Sequence, residues 1–535
     1  MATFKKQFVA AILKSLLRGK SLIQAILAYW TASIAIPADA KDPSATPSRR
    51  STQDFLKEAE ALLLDPVSQH GLQQLARDLR KQYAERLQTS TEAMLPSYSH
   101  QLPNGNERGH YLALDVGGST LRVALVELRG RMPKVGEESG IVSIRNFAIT
   151  PAIKSLEGMA FFDWMAGRIK ETLAEQYEHL NSSEQPLLMS MAWSFPIEQT
   201  SLKGGKISAM GKGFMANKGL MDEDLGQVIE TACGKQGLNV ELRAIVNDSS
   251  ACLLSESYSH TSTRFGLILG TGVNIAAYLP VLTIGKHKLG QRPADWTHLI
   301  VNSEISMFGG GILPLTRWDQ QLREGHARPD FQPLELLVSG MYLGEICRLI
   351  LIEGIESTGV FGGVVPPSLK KPYSLATETL SMVESDTSAE FEDARREFSV
   401  RHPSPHTPTL SDLSFLRQLA SFVSMRSSAL VATSVYAFWK LRADAQVEFV
   451  EALPESSPLR SQAVADRDLE QTTVAFNGSV IENYPGYLQS CQQYLDGLVA
   501  THKNENGSRN VQLVGAKESS LMGAAVALAS IQGNA

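Results

Sequence analysis

An acid, two glycines and two hydroxyl residues follow closely at Asp115-Val116-Gly117-Gly118-Ser119-Thr120, with Arg122 just beyond. Glycines let backbone N–H groups approach an anion, so the run suits a phosphate nest. Asp115 could hold Mg2+ through water beside that phosphate. A plain hairpin with a polar turn fits the same residues. A second run, Ile245-Val246-Asn247-Asp248-Ser249, ends an apolar stretch on an amide and an acid. Open α/β sheets bind ligands beyond the carboxyl ends of their strands. There Asp248 could accept the proton of a hydroxyl attacking phosphorus. Equally, the pair could cap the next helix. Leu269-Gly270-Thr271-Gly272-Val273-Asn274 is another apolar stretch ending in a glycine turn, and so short a motif has little specificity alone. Trp193-Ser194-Phe195-Pro196 and Gly211-Lys212-Gly213-Phe214 complete the set. A lysine between glycines is ordinarily a solvated turn residue.

These residues need elements to hold them. Apolar alternation on both sides of Gly117-Gly118 predicts strand, turn and strand over 110–128. Residues 187–195, 241–246, 264–269, 472–476 and 510–514 also read as strands. Helical spacing predicts helices over 221–236, 333–357, 410–443 and 519–531, and two helices broken near Pro66 within 53–92. This alternation argues for an α/β fold. Residues 371–409, rich in Ser, Glu, Pro and Thr, read as a surface insertion. A chain of 535 residues is too long for one ordinary core. Its 43% hydrophobic and 20% charged residues are those of a globular protein. A net charge of −6 argues against nucleic acid, whose binders need a concentrated basic face. Cys233, Cys252, Cys347 and Cys491 form no CxxC pair, so reduced buried thiols are expected.

In this order the motifs are specific, and the chain resembles the fungal-type hexokinase family. The resemblance runs from about residue 55 to residue 530. It continues through Asn302-Ser303-Glu304, Arg328-Pro329-Asp330-Phe331-Gln332-Pro333-Leu334-Glu335, Tyr342-Leu343-Gly344-Glu345, Asn477-Gly478-Ser479-Val480, Tyr484-Pro485-Gly486 and Gly523-Ala524-Ala525. It implies a two-lobed actin-like ATPase/sugar kinase (ribonuclease H-like) fold with a sugar and ATP cleft between its lobes. Residues 53–258 would form the small-lobe region and residues 262–530 the large-lobe region. The implied activity is ATP-dependent phosphorylation of a glucose-like hexose at its 6-hydroxyl, the first step of hexose metabolism, with ATP and Mg2+. By resemblance, Asp248 and Lys212 are catalytic. Ser194, Lys212, Asn247, Asp248, Asn274, Glu304 and Glu335 match sugar-contacting positions. Asp115, Gly117, Gly118, Ser119, Thr120, Arg122, Gly270, Thr271, Gly272, Gly478 and Ser479 match nucleotide-contacting ones, with Asp115 holding the metal through water.

Some positions depart from the family. Gly211 stands where a Thr is usual, which removes a hydroxyl worth about 0.5–1.5 kcal/mol. The phosphate loop has Ser119-Thr120 in place of Thr-Asn. Asn477 replaces an Asp, Met425 replaces a Thr before Arg426, and Ser519-Ser520-Leu521 replaces Gly-Ser-Gly. Two lost neutral hydrogen bonds amount to about 1–3 kcal/mol, or about 5–150-fold in ATP affinity. Leu521 is expected to be the most serious change, by putting a side chain where backbone should approach the nucleotide. A working hexokinase is the first reading. A catalytically weak or inactive sugar-binding regulator is the second, and a tethered scaffold with a vestigial site is the third.

Residues 1–38 contain no acid but carry Lys5, Lys6, Lys14, Arg18 and Lys20. Ser21 to Ala38 is uncharged, close to the length that spans about 30 Å of hydrocarbon but diluted by Ser, Thr and Gln. A secretory signal cut near Ala38-Asp39-Ala40, a mitochondrial presequence, an anchor and an arm packed on the protein itself all compete. Secretion ranks last, because the body needs ATP and a sequon at Asn247 would risk a glycan in the site. The expectation is a cytosol-facing protein associated with the mitochondrial membrane through residues 1–38, with plain cytosol as the alternative. Residues 39–53 read as a Pro-, Ser- and Thr-rich linker, closing a targeting or anchor region over 1–52.

Overall fold

The computed structural model describes residues 50–131, 137–174, 177, 181–208, 210–211, 213–501 and 509–532. The expectations for residues 1–38 and for Lys212 lie outside them. No helix among the described residues is long and apolar enough to cross a membrane.

Two sheets share one strand plan. In the first, β2 (Arg108–Val116) turns into antiparallel β3 (Thr120–Arg129), which pairs with antiparallel β4 (Ser139–Ala148). On its other side β2 pairs in parallel with β5 (Leu187–Trp193), and β5 with β8 (Val240–Val246). In the second, β9 (Thr263–Leu269) turns into antiparallel β10 (Val273–Pro280), which pairs with antiparallel β11 (His298–Asn302). On its other side β9 pairs in parallel with β12 (Gln471–Asn477), and β12 with β13 (Asn510–Gly515). Strand β1 (Leu95–Pro96) extends the second sheet beside β11, and β6 (Ile197–Gln199) with β7 (Gly205–Ile207) forms a separate hairpin.

The period-two pattern sorts side chains onto faces. Leu112, Leu114, Val116, Leu121, Val123 and Leu125 join one apolar cluster. Their alternates Tyr111, Ala113, Ala124 and Val126 join another. That second face is rich in alanine, so helices can approach it closely.

Among the helices are α1 (Thr52–Leu64), α2 (Gln69–Thr89), α3 (Met159–Leu173), α4 (Leu225–Lys235), α5 (Asp248–Ser259), α6 (Arg317–Gly325), α7 (Gly340–Thr358), α8 (Thr377–Ser385), α9 (Leu410–Ala452), α10 (Tyr487–Ala500) and α11 (Ser519–Gln532). Helix α9 has 43 residues and starts from a Thr409/Asp412 capping box. It packs against α1, α2, α7, α8 and α10. The 258/262 boundary therefore separates the strands of the sheets, β1 excepted, but not all the helices. Helices α1 and α2 join the core of the C-terminal half, while α11 packs on β2 and β5 of the first sheet. Residues 371–409 depart from the expected surface insertion. They fold into α8 and a helix at Glu392–Arg401, with Leu375, Leu380, Val383, Phe391, Ala394 and Phe398 buried in that core.

Helix α5 is held from two sides. A Cβ on Gly266 of β9 would run into the Ser249 carbonyl, and one on Gly523 of α11 into the Ala251 carbonyl. Only glycine permits both approaches. All four cysteines are free and buried, as expected.

Buried ionisable groups make the fold acid-sensitive. Burial pushes Asp466 up, but Arg442 and Arg264 more than offset it and hold its pKa at about 2. Burial lowers His298 and His402 to about 4. His298 Nε2 donates to Gln446 Oε1 at 2.9 Å, because the Gln446 amide N–H already donates to Ala463. Below an ordinary histidine pKa of 6.5 the unfolded chain takes up protons that the fold refuses. Stability is therefore full above that pH and falls toward pH 4 by about 1.4 kcal/mol per unit for each histidine. The Asp466 contribution is lost lower, as pH falls from the ordinary value of 3.8 to about 2. Urea titrations at pH 7 and pH 5 should differ by about 2 kcal/mol per histidine, and His298→Gln should roughly halve the difference. Equal stability at the two pH values would contradict this account.

Candidate active site

The two parallel trios end together. Val116 is opposite Trp193 and Ala192 opposite Val246, so Gly117, Ser194 and Asn247 leave neighbouring strands side by side. The Ser194 N–H donates to Val116 O at 3.2 Å. In the second sheet Asn477 is opposite Ile268 and Phe476 opposite Gly515, so Gly270, Gly478 and Ala516 follow from adjacent strand ends. Ligand crevices belong at such ends.

A chain of amides and carboxylates links the expected sugar residues. Asn247 is the N-cap of α5, and its Oδ1 accepts from Ser249 N–H at 2.9 Å and from Asn274 Nδ2 at 3.4 Å. Asn274 Nδ2 also donates to Asn302 Oδ1 at 2.8 Å. Asn302 Nδ2 donates in turn to Glu304 Oε1 at 2.8 Å. Glu335 Oε2 accepts from Val273 N–H at 3.1 Å, between Gly272 and Asn274. Asp248 opens α5, where the helix dipole favours a carboxylate, and its Oδ1 accepts from Ser249 N–H at 2.7 Å. Asn247, Asn274, Glu304 and Glu335 are thus brought together, with Asp248 adjoining them and Ser194 one strand away.

Sequence reasoning gave Asn302 no role beyond its place in a motif. The structure makes it the link that orients Asn274 toward Glu304. Its only signal was a polar residue ending an apolar strand. Gln332 was likewise missed. It sits at φ +55° and donates to Ser306 Oγ at 3.2 Å.

A glycine turn follows each of β2 and β9. Gly117 N–H donates to Thr120 O at 3.1 Å, and Gly270 N–H to Gly272 O at 3.0 Å. Gly340 N–H donates to Gly270 O at 2.8 Å, which seats the start of α7 on the second turn. A Cβ on Gly270 would lie 3.5 Å from Ser479 Oγ, so Gly270, Thr271 and Ser479 are neighbours. Arg122 Nε donates to Asp115 Oδ2 at 2.8 Å. Burial raises the Asp115 pKa, Arg122 opposes the rise and Glu518 adds to it. Asp115 Oδ1 lies outside the Arg122 pair. One carboxylate oxygen beside a glycine turn fits a water-mediated contact to the Mg2+ of a nucleotide substrate, an ion that keeps most of its water.

Sequence models of the hexokinase family match residues 62–258 and residues 264–530. The chain belongs to the hexokinase family. Hexokinase-1 of Nicotiana tabacum is 29% identical over 438 residues, covering 80% of this chain and 83% of that one. The hexokinase of Kluyveromyces lactis is 27% identical over 439 residues, covering 81% and 83%. Among solved structures, the Schistosoma mansoni hexokinase complexed with glucose is similar at a TM-score of 0.71 and 25% identity, covering 90% of this chain and all of that one. The fold is the two-lobed sugar-kinase fold, and its family places this hexokinase-family member among the sugar-kinase phosphotransferases.

The departures from the family now have positions. Leu521 is a correction: it does not project toward a nucleotide. It is completely buried in the cluster with Ala113, Ala124 and Val246, because the register of α11 turns it onto the first sheet. Met425 is 37% exposed, so an apolar thioether stands in the open there. Asn477 Nδ2 is spent on Glu482 Oε1 at 2.9 Å and Ala516 O at 3.1 Å. Gly211 holds φ at +66°, where a β-branched threonine is an outlier. The glycine is thus tied to its backbone as well as lacking a hydroxyl.

Asn302→Ala leaves an Asn274 N–H and a Glu304 oxygen without their partner. Glucose affinity by calorimetry should fall about 5–150-fold, as for about 1–3 kcal/mol of lost hydrogen bonding. Unchanged affinity would mean that the chain Asn274–Asn302–Glu304 does not shape the sugar floor.

Proposed function

We propose that this protein transfers the γ-phosphoryl group of ATP, as its magnesium complex, to the 6-hydroxyl of a glucose-like hexose. The hydrogen-bonded run from Asn247 through Asn274 and Asn302 to Glu304, with Glu335 beside it, carries this reading. Amides and carboxylates held in fixed orientations match a ring of hydroxyls, and a site built this way rejects analogues lacking one. Asp248 adjoins that run and takes the proton of O6. O6 then bonds to the γ-phosphorus, the bond to the bridging oxygen breaks, and ADP leaves. The glycine turns at 117–118 and 270–272 receive the phosphates through backbone N–H groups, and Lys212 is assigned by resemblance alone. The Schistosoma mansoni relative, solved with glucose, supports the choice of sugar.

A second reading, a sugar-binding regulator with weak or no catalysis, is favoured by one observation. The Asn477 side chain is engaged by Glu482 and by the Ala516 carbonyl after β13 rather than held open for a nucleotide. Burial of Leu521 weighs against this reading, since the largest expected obstruction to ATP is not there.

A coupled assay with glucose, Mg2+ and ATP separates the two readings. The wild type should turn over, and Asp248→Asn should lose about 10²–10⁴-fold in kcat, the usual worth of a general base. Its glucose affinity should stay within a few-fold. Glucose binding by the wild type with no transfer above Asp248→Asn would establish the regulator.

A further inference from the structure

The guanidinium of Arg122 is held by two carboxylates from different parts of the fold. Asp115 and Arg122 are register partners across the β2–β3 hairpin. Nε and Nη2 both donate to the same oxygen, Asp115 Oδ2, at 2.8 and 2.5 Å. Nη1 donates to Glu518 Oε2 at 2.6 Å. Glu518 lies between β13 of the second sheet and α11, on the connection that crosses to the first sheet.

Two bonds converging on one oxygen do not fix the plane of a guanidinium. A fork with each N–H on its own oxygen would do so. Paired with Asp115 alone, Arg122 could pivot about Oδ2. The Glu518 contact, made from the opposite direction, removes that freedom. The backbone of Glu518 is fixed, while its side chain is 46% exposed. Its backbone sits at φ +49°, a region that a glutamate adopts only when its surroundings impose it. Its carbonyl accepts from Leu521 N–H at 3.1 Å and Met522 N–H at 3.0 Å. Helix α11 then locks onto α5, the helix that begins at Asp248, through the contact at Gly523. The orientation of Arg122 is thus tied to the element that carries the proposed base.

We propose that Glu518 is a positioning residue for the phosphoryl donor. Through Arg122 it fixes the side chain beside the Gly117-Gly118 turn in the orientation that receives the donor's phosphates. Glu518 touches neither substrate, and the proposal rests on the phosphotransferase reading above.

The test uses the full chain with Glu518→Ala and Glu518→Gln. Steady-state kinetics gives KM for ATP and for glucose, and calorimetry gives ATP affinity in saturating glucose. Glu518→Ala should raise KM for ATP and weaken ATP binding about tenfold or more, with KM for glucose within twofold. Glu518→Gln, which keeps an acceptor oxygen, should recover most of the loss. Thermal midpoints of both variants identify any general loss of structure, which would move both KM values together. ATP affinity within twofold of wild type in Glu518→Ala, or equal effects on both substrates, would overturn the assignment while leaving the kinase reading standing. A wild type that binds glucose but no ATP would overturn both.

Discussion

The placement of α5 is the constraint on which the site depends. This helix begins at the candidate base and lies between the two sheets, with β9 against one side and α11 against another. Glycine at 266 and at 523 lets backbone touch backbone at both contacts. Any side chain at either position would drive α5 outward and carry Asn247 and Asp248 with it. The alanine-rich face of the first sheet acts in the same way, since Ala113, Ala124, Ala192 and Ala244 keep the packing thin there. Small residues in this interior are therefore positional and not merely space-filling.

Around that fixed helix the site gathers acids that would repel one another if left alone. Asp248, Glu304 and Glu335 are each given backbone or amide partners, and the two asparagines between them have a fixed direction of donation, from Asn274 to Asn302 to Glu304. Such a network is strong when every member is satisfied and costly when one is missing. The same logic holds deeper in the fold, where Arg426, 1% exposed, makes a two-pronged contact with the fully buried Asp319 at 2.7 and 2.8 Å. That pair braces α9 against α6 one residue beyond the exposed Met425. The departure from the family at Met425 therefore sits on a rigid support, and its effect is confined to the side chain.

The strand–turn–strand over 110–128 and the ends of β5, β8, β9, β12 and β13 were legible in sequence, because buried strands leave uninterrupted apolar runs flanked by glycine or polar residues. Strand β4 left no such mark: it is an edge strand without a buried residue, and even its apolar Val142 and Ile144 are 40% and 39% exposed. Residues 371–409 misled for a related reason. Their buried Leu380, Val383 and Phe398 are diluted by surface polar residues, and composition averages the two together. The attachment of α1 and α2 to the C-terminal half was illegible, since their apolar stripe records that they pack but not against what. Leu521 shows the limit of motif comparison. Alignment gives the position of a side chain along the chain, whereas helix register decides which way it points. The candidate sugar residues were legible as candidates because the family pattern fixes both their type and their order. Asn302 was not, because its role is to aim other side chains.

The nucleotide-side departures can be weighed against what catalysis requires. They are spread over α9, the β12 loop, the start of α11 and the glycine turn after β2. Two lost neutral hydrogen bonds among them amount to about 1–3 kcal/mol. Enzymes of this kind lower barriers by about 8–23 kcal/mol. That lowering comes mainly from oriented charge and from holding the reactants in line. In the proposed reaction the groups that would supply those effects are at other positions: Asp248 at the head of α5, the two glycine turns, and Arg122 braced between Asp115 and Glu518. The altered positions leave Asp248, the glycine turns and Arg122 in place, so the proposed transfer asks nothing of the residues that depart from the family.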